Sequence, residues 1–343
     1  LQQPEHNTQV PYVDIAQKIS VKVVDASGAP VANARIGILN LNGSKLLNLK
    51  SPASGTVSLF PTFDKLPKQF QISVSDSAAT TPVSQSVDLT TLAANRDIIL
   101  TLPTQTQPLV NIDIALVIDS TSSMGDEIKF LQEELTQVFK DTAAANPGKS
   151  IQAGLVVYRD EGDQYVHLER PFTANLEQFT DNLALIEAKG GGDYPEAMDQ
   201  AMDAAMQLQW REHSTKILLL VADAPPHDEN MKKTWASVED ARNQQIHIVP
   251  VAASGVGDTA EFLMRSMAAV TNSRYIFITD DSGVGNDHAE PKIDCYAVTR
   301  LDQSLKRVMA SLIKGQRVEP GANEIIRTEG NYNAGICDMP AKP

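Results

Sequence analysis

The chain has 343 residues, enough for two domains with cores of their own, and its 42% hydrophobic and 21% charged residues are ordinary for globular protein. The net charge of −14 is one-sided: residues 1–108 carry eight Lys/Arg against seven Asp/Glu, so the acidic excess lies wholly beyond them. That balance argues against nucleic acid, whose binders need basic patches, and no apolar run approaches the ~20 residues that span a bilayer.

Residues 1–16 are polar, contain Pro4 and Pro11, and are expected to form a flexible arm. The numbering starts at Leu1 rather than Met, which leaves a removed targeting segment open. From Ile19 the pattern is all-β: Ser20–Val24 alternates, Asp25–Gly28 reads as a turn, and Val31–Leu39 as the next strand. Short strands follow at 45–49, 55–60, 70–74, 84–89 and 97–102, which predicts a β-sandwich over 17–103. Val-Lys-Val-Val-Asp-Ala-Ser-Gly-Ala-Pro-Val-Ala-Asn-Ala-Arg-Ile, followed by Ser54-Gly55-Thr56-Val57, resembles the carboxypeptidase-regulatory-like and transthyretin-like sandwiches. The resemblance implies a spacer or binding module, and no catalytic constellation is visible there. The Thr/Gln/Pro-rich residues 104–109 form the linker.

Residues 110–316 alternate strand and helix, the signature of a doubly wound α/β domain with a mostly parallel sheet and helices on both faces. Ile114–Ile118 is a continuous apolar run, as in a central strand covered on both sides. It stops at Asp119, passes through Thr121 and Ser123, and leads into a helix expected over 126–142. Ligands of open α/β sheets bind at the carboxyl ends of strands, and carboxylates with hydroxyls suit Mg²⁺ or Ca²⁺. Further strands are expected at 152–158, 164–169, 217–222, 246–251 and 274–278. The helices are expected at 175–188, from Pro195 to Trp210, and at 235–244, 259–270 and 298–314. Met198, Met202 and Met206 recur every fourth residue and read as core packing.

Asp119-Ser120-Thr121-Ser122-Ser123-Met124 resembles the Asp-x-Ser-x-Ser metal-ion-dependent adhesion site of the von Willebrand factor A family. The order of elements over roughly 110–316 agrees with that resemblance. Carried over residue by residue, it implies a divalent cation, Mg²⁺ first and Ca²⁺ or Mn²⁺ as alternatives, held by Asp119, Thr121, Ser123 and Asp223. The second loop, Gly190-Gly191-Gly192-Asp193-Tyr194-Pro195-Glu196, departs from the adhesion-receptor form and resembles bacterial and some extracellular animal members. It puts Asp193 where those receptors have Thr, so a third carboxylate would join the set if it coordinates directly. Each of these residues also has a plain structural reading, with Asp119 as a helix cap and the glycines as turn formers.

Asp160, after another strand, is a candidate to surround the ligands or to form a surface turn, and His227 reads as structural. Asp280, Asp281 and Asp287 lie in a polar loop that could hold a second cation, although it lacks the spacing of an EF-hand. Thr121 stands where an aspartyl phosphatase needs a second Asp, and no P-loop, Gly-x-Ser-x-Gly elbow or dinucleotide fingerprint is present, so no enzyme is expected. The resemblance implies cation-dependent capture of a protein or surface polymer that offers an oxygen ligand. The alternative is a structural module whose cation only steadies the loops. An extracellular, cell-surface or periplasmic setting is implied with it, and Cys295 and Cys337 would then form a disulfide pinning the tail, 317–343; two free thiols are the other reading.

Overall fold

The computed structural model describes residues 10–76, 81–103, 107–283, 293–333 and 336–337. Seven strands make up the first part: β1 (Ile19–Val24), β2 (Arg35–Leu39), β3 (Lys45–Lys50), β4 (Thr56–Leu59), β5 (Gln69–Ser75), β6 (Val83–Asp88) and β7 (Asp97–Thr101). They form a three-stranded sheet, β4-β1-β7, and a four-stranded sheet, β3-β2-β5-β6. The period-two alternation of β5 turns Phe70, Ile72 and Val74 inward, and they share one core with Val21, Val23, Ile36 and Ile38. β2 starts at Arg35 rather than Val31 because Asn33 adopts a left-handed conformation, φ 58°, and its amide bonds to Ser51.

The second part opens with β8 (Asn111–Asp119), α1 (Gly125–Phe130) and α2 (Thr136–Ala144). The helix expected over 126–142 is divided by a π-turn at Leu131–Leu135. After β9 (Ser150–Tyr158) and β10 (His167–Thr173) come α3 (Leu176–Ala184), α4 (Met198–Gln207) and β11 (Ser214–Ala222). The chain continues through α5 (Met231–Asn243), β12 (Ile246–Ala252), α6 (Asp258–Val270), β13 (Ile276–Phe277), β14 (Tyr296–Val298), α7 (Leu301–Lys314) and β15 (Arg327–Glu329). The main sheet has the order β10-β9-β8-β11-β12-β13. Every pairing in it is parallel except β9 with β10.

β8 shows why the sheet is covered on both faces. Ile112, Ile114, Leu116 and Ile118 pack with α1, α2, α3 and α7, whereas Ala115 and Val117 pack with α4, α5 and α6. Met198, Met202 and Met206 lie in the second of these cores. The chain leaves β8 for β9 on one side and reaches β11 on the other, so the carboxyl end of β8 is the switch point where such sheets bind ligands.

Three helices are shorter than their sequence patterns suggest, α7 starting at Leu301 and not 298 because Val298 ends β14. α3 ends at Ala184 and not 188, because Gln132 Nε2 donates to the carbonyls of Leu183 and Ile186 and the Lys189 amide turns to Ser120 O. α4 starts at Met198, because the amides of Glu196 and Ala197 bond to Pro225 O and Arg159 O in neighbouring loops.

The two parts are joined through buried contacts. Val10, Val13 and Phe60 lie in the core formed by α4, α5 and α6, so the arm expected at 1–16 is packed at Val10 and Val13. Arg242, 7% exposed, donates to Asp64 Oδ1 at 2.6 Å and to Ser58 O at 2.7 Å. Gln245 Nε2 reaches Ser51 O at 2.7 Å. Beyond α7, β15 pairs with β14, and Cys295 and Cys337 form a disulfide with Cα atoms 5.8 Å apart. Among the described residues no helix is long and apolar enough to cross a membrane.

Candidate metal centre

β8 delivers Asp119 to the switch point fully buried. Its Oδ1 accepts from the Thr121 amide at 2.9 Å and the Thr121 hydroxyl at 2.7 Å, while its Oδ2 is buried without a partner. Thr121 Oγ1 lies 3.4 Å from Ser123 Oγ, and the Ser123 hydroxyl bonds to the carboxylate of Asp223, the residue that follows β11. Asp119, Thr121, Ser123 and Asp223 are therefore brought together, with Asp119 and Asp223 buried and Ser123 exposed at the mouth. Burial, and then the charge of Asp223, push the Asp119 carboxyl up to about 7, and burial raises Asp223 as well. Tyr158, the neighbour of Asp119 across the β8/β9 pair, is raised well above the usual phenol value by burial and by Asp119.

The second loop is stitched to the first. Ser122 donates through its amide and its hydroxyl to Gly190 O. Gly190 and Gly191 have φ of 81° and 73°, and a Cβ on Gly191 would stand 2.8 Å from Glu196 Oε1 and 3.0 Å from Thr121 Cβ. The Tyr194 hydroxyl donates to Asp223 O at 3.0 Å and accepts from the Gly257 amide at 2.6 Å, which ties the second loop to the third.

These bonds turn Glu196 inward and leave Asp193 exposed. Among the described residues no group of three or more His, Cys, Asp or Glu side chains stands in metal-holding geometry, so Asp119, Asp193 and Asp223 are not gathered as three carboxylates about one point. Two carboxylates and two hydroxyls remain as oxygen donors. The Oδ2 of Asp119 is buried without a partner, and the charges of Asp223 and Asp160 that reach this carboxylate are negative.

Asp160 is buried at the end of β9 and its Oδ1 lies 2.7 Å from His227 Nε2, a bond that raises the histidine. The charge of Asp160 reaches both Asp119 and Glu196, while His227 serves as its partner. Asp280 and Asp281 begin a short 3₁₀ turn, where Asp281 Oδ2 meets Arg327 Nε at 2.7 Å. Asp287 lies outside the described residues.

Sequence reasoning missed Glu196, Asp163 and Glu127. Glu196 is buried with Oε2 unpartnered, and burial followed by the charges of Asp119, Asp160 and Asp223 pushes it up to about 9. Asp163 Oδ2 accepts from the Gly191 amide at 2.8 Å and holds the glycine loop. Glu127 Oε1 accepts from the amide and hydroxyl of Ser254, and burial with a bond from Asp126 raises it to about 7. The only sequence signal was the Pro-Glu pair after Asp193, since nothing in a linear pattern says that Glu196 faces inward.

The von Willebrand factor A domain profile matches residues 113–286, just over half of the chain. Among curated proteins, an ariadne-like RING finger protein, R811, of Acanthamoeba polyphaga mimivirus is 29% identical over 119 residues, which is 35% of this chain and 12% of that protein. Alpha-protein kinase vwkA of Dictyostelium discoideum is 26% identical over 117 residues, 34% of this chain and 19% of the kinase. The chain thus spans a small part of these relatives, which are viral and amoebal and lend nothing to a bacterial assignment. Among solved structures, the pilus adhesin SpaC of Lactobacillus rhamnosus GG in its open conformation aligns with 62% of this chain and 30% of its own, at TM-score 0.39 and 11% identity. Proximal thread matrix protein 1 from the mussel byssus aligns with 60% of this chain and 45% of its own, at TM-score 0.38 and 13% identity. On the extent of the profile match, the chain belongs to the von Willebrand factor A domain family.

Proposed function

We propose that this chain is a divalent-cation-dependent binding module, with Mg²⁺ as the first candidate and Ca²⁺ or Mn²⁺ as alternatives. The observation that carries the reading is the buried, unpartnered Oδ2 of Asp119 beside buried Asp223, two like charges with no cationic side chain bonded to either among the described residues. Asp119, Thr121, Ser123 and Asp223 would hold the ion, and Asp193 stands exposed on the adjoining loop. When bound, the ion supplies positive charge and an open coordination position for a ligand oxygen. The chain's own part is to orient the donors. Thr121 fixes the rotamer of Asp119, Ser123 fixes that of Asp223, and Tyr194 keeps the second and third loops in register. Asp193 adds exposed negative charge beside the set, whereas Glu196, raised to about 9 by burial, adds none near neutral pH; the rim therefore favours partners that approach through one oxygen over polyanions.

The proposed role is binding, which the match to the von Willebrand factor A domain family supports. A protein or surface-polymer partner fits the exposed Ser123 rim, and the Cys295–Cys337 disulfide supports an oxidising, extracellular or periplasmic setting. The two N-terminal sheets fit a transthyretin-like sandwich acting as a spacer.

Two titrations test the reading. Calorimetry with MgCl₂, CaCl₂ and MnCl₂ on chelator-treated protein should give one site in the wild type and none in Asp119→Asn or Asp223→Asn. Binding of the loaded chain to immobilised matrix proteins and polysaccharides should then vanish with EDTA. Cation uptake without any EDTA-sensitive capture would favour the module whose ion only steadies its loops. A wild type that takes up no cation would overturn both.

A further inference from the structure

A second site lies far from the carboxylates in sequence, where α7 ends against the N-terminal sheets. Gly315 closes α7 with φ 66°, and a Cβ there would meet the Ala53 backbone at 2.5 Å, so the helix end abuts the loop at 52–54. Between them is a cavity of about 180 Å³ lined by Pro52, Ser54, Ser273, Arg274, Gln316 and Arg317. At about 30 Å³ per liquid water molecule, that is room for a small ion with some of its hydration.

The charges around this cavity do not balance. Arg307 is paired with Glu324 at 2.9 Å, and Arg317 with Glu319. Arg274 is half-buried and, among the described residues, has no acidic or hydrogen-bonding partner. Burial, and then the charges of Arg317 and Arg307, press its guanidinium below the ordinary value. A guanidinium does not give up its proton in proteins, so the cost of burying it would be offset by an opposite charge and not by neutralisation. The Ser273 hydroxyl in the same wall is likewise buried without a partner. His247, which also lines the cavity, is fully buried, gives Nδ1 to Thr271 O, and is held neutral by burial, so it adds no charge of either sign. In a chain of net charge −14, Arg274 is thus a cation without an acidic partner among the described residues, at the carbonyl end of α7, and the Ser273 hydroxyl is a donor beside it.

We propose that this cavity binds a small dianionic oxyanion, inorganic phosphate or sulfate, between Arg274 and Arg317. A planar guanidinium offers two parallel donors to such an ion, which a neutral wall could not replace. The ion would tie together three elements that the cavity already brings close: the end of α7, the turn before β13, and the 52–54 loop of the first part. The proposal is independent of the cation site, because none of its residues touches Asp119 or Asp223.

The test is thermal unfolding of the full chain in EDTA, so that no divalent cation contributes, with phosphate, sulfate or chloride at matched ionic strength. The expected result is a rise in Tm that saturates with phosphate and sulfate and is absent with chloride. In Arg274→Gln the apparent affinity should fall by about tenfold or more, and in Arg317→Gln by a smaller factor. A sulfated polysaccharide at equal sulfate concentration separates the sources: no tighter binding than free sulfate means a free ion, and tighter binding means a chain-borne group. Equal shifts with chloride, or an unchanged response in Arg274→Gln, would overturn the proposal and leave the α7 carbonyls as the neutralising group. Should Arg274→Gln not fold, the contrast of oxyanion with chloride in wild type and in Arg317→Gln decides in the same way.

Discussion

At Asp119 burial and hydrogen bonding pull in opposite directions, and burial wins. The two bonds from Thr121 favour the carboxylate, but loss of water and the nearby Asp223 raise it to about 7, against about 4 in an unfolded chain. A carboxyl whose folded pKa is raised contributes stability that is fully present below about pH 4 and lost as the pH rises through 7. Glu196, at about 9, extends the loss to higher pH. In EDTA the Tm of the wild type should therefore fall from pH 5 to pH 8, and Asp119→Asn should remove part of that slope, Glu127, at about 7, and Glu196 keeping the rest. Saturating Mg²⁺ should remove it too, since a bound cation favours the ionised form. A slope that is the same in wild type and Asp119→Asn would show that Asp119 is ionised without cost and needs no ion.

Elements place these residues, and the loops between elements are where linear patterns stop being informative. Strand β8 was readable because Ile114–Ile118 is an unbroken apolar run that allows few alternatives, and Asp119 ends it where that run stops. Thr121 and Ser123 followed from their offsets to the end of β8, and Asp223 from the family resemblance. Asp193 and Glu196 did not, because their facing depends on where the Glu196 and Ala197 amides bond, and those partners lie in other loops. The same bonds delay α4 to Met198, so the later helix start and the inward turn of Glu196 share one cause. The glycine loop carries a prediction of its own. Gly191→Ala meets a left-handed backbone and the 2.8 Å approach of Glu196 Oε1, and should cost about 1–2 kcal/mol from the backbone alone. Urea unfolding would register that loss, and calorimetry should show weaker Mg²⁺ binding as Thr121 is displaced. Gly192→Ala, with open space around its Cβ, should do neither.

For the whole molecule, buried contacts join the N-terminal sheets to the α/β domain, which predicts that they unfold together. Arg242 has a side chain 6% exposed and its partner Asp64 one 1% exposed, so removing either leaves an uncompensated buried charge. Arg242→Ala should destabilise the chain by about 3–5 kcal/mol. If the two parts are coupled as the shared core of Val10, Val13 and Phe60 implies, circular dichroism and tryptophan fluorescence should report a single transition that shifts as one. Two separated transitions in the wild type would contradict the coupling. None of this was visible in sequence, where the boundary near 104–109 suggested two bodies on a linker; the contacts between them involve residues 178 and 194 positions apart.

The most direct measurement is thermal unfolding at pH 8 of wild type and Asp119→Asn, each in EDTA and then with excess MgCl₂. A cation that binds only the folded state at about 100 times its dissociation constant adds about 2.7 kcal/mol. The account predicts a clear rise in Tm with Mg²⁺ for wild type, no rise for Asp119→Asn, and an Asp119→Asn variant at least as stable as wild type in EDTA. An equal response of the two proteins to Mg²⁺, or none in wild type with Ca²⁺ and Mn²⁺ also silent, would contradict it.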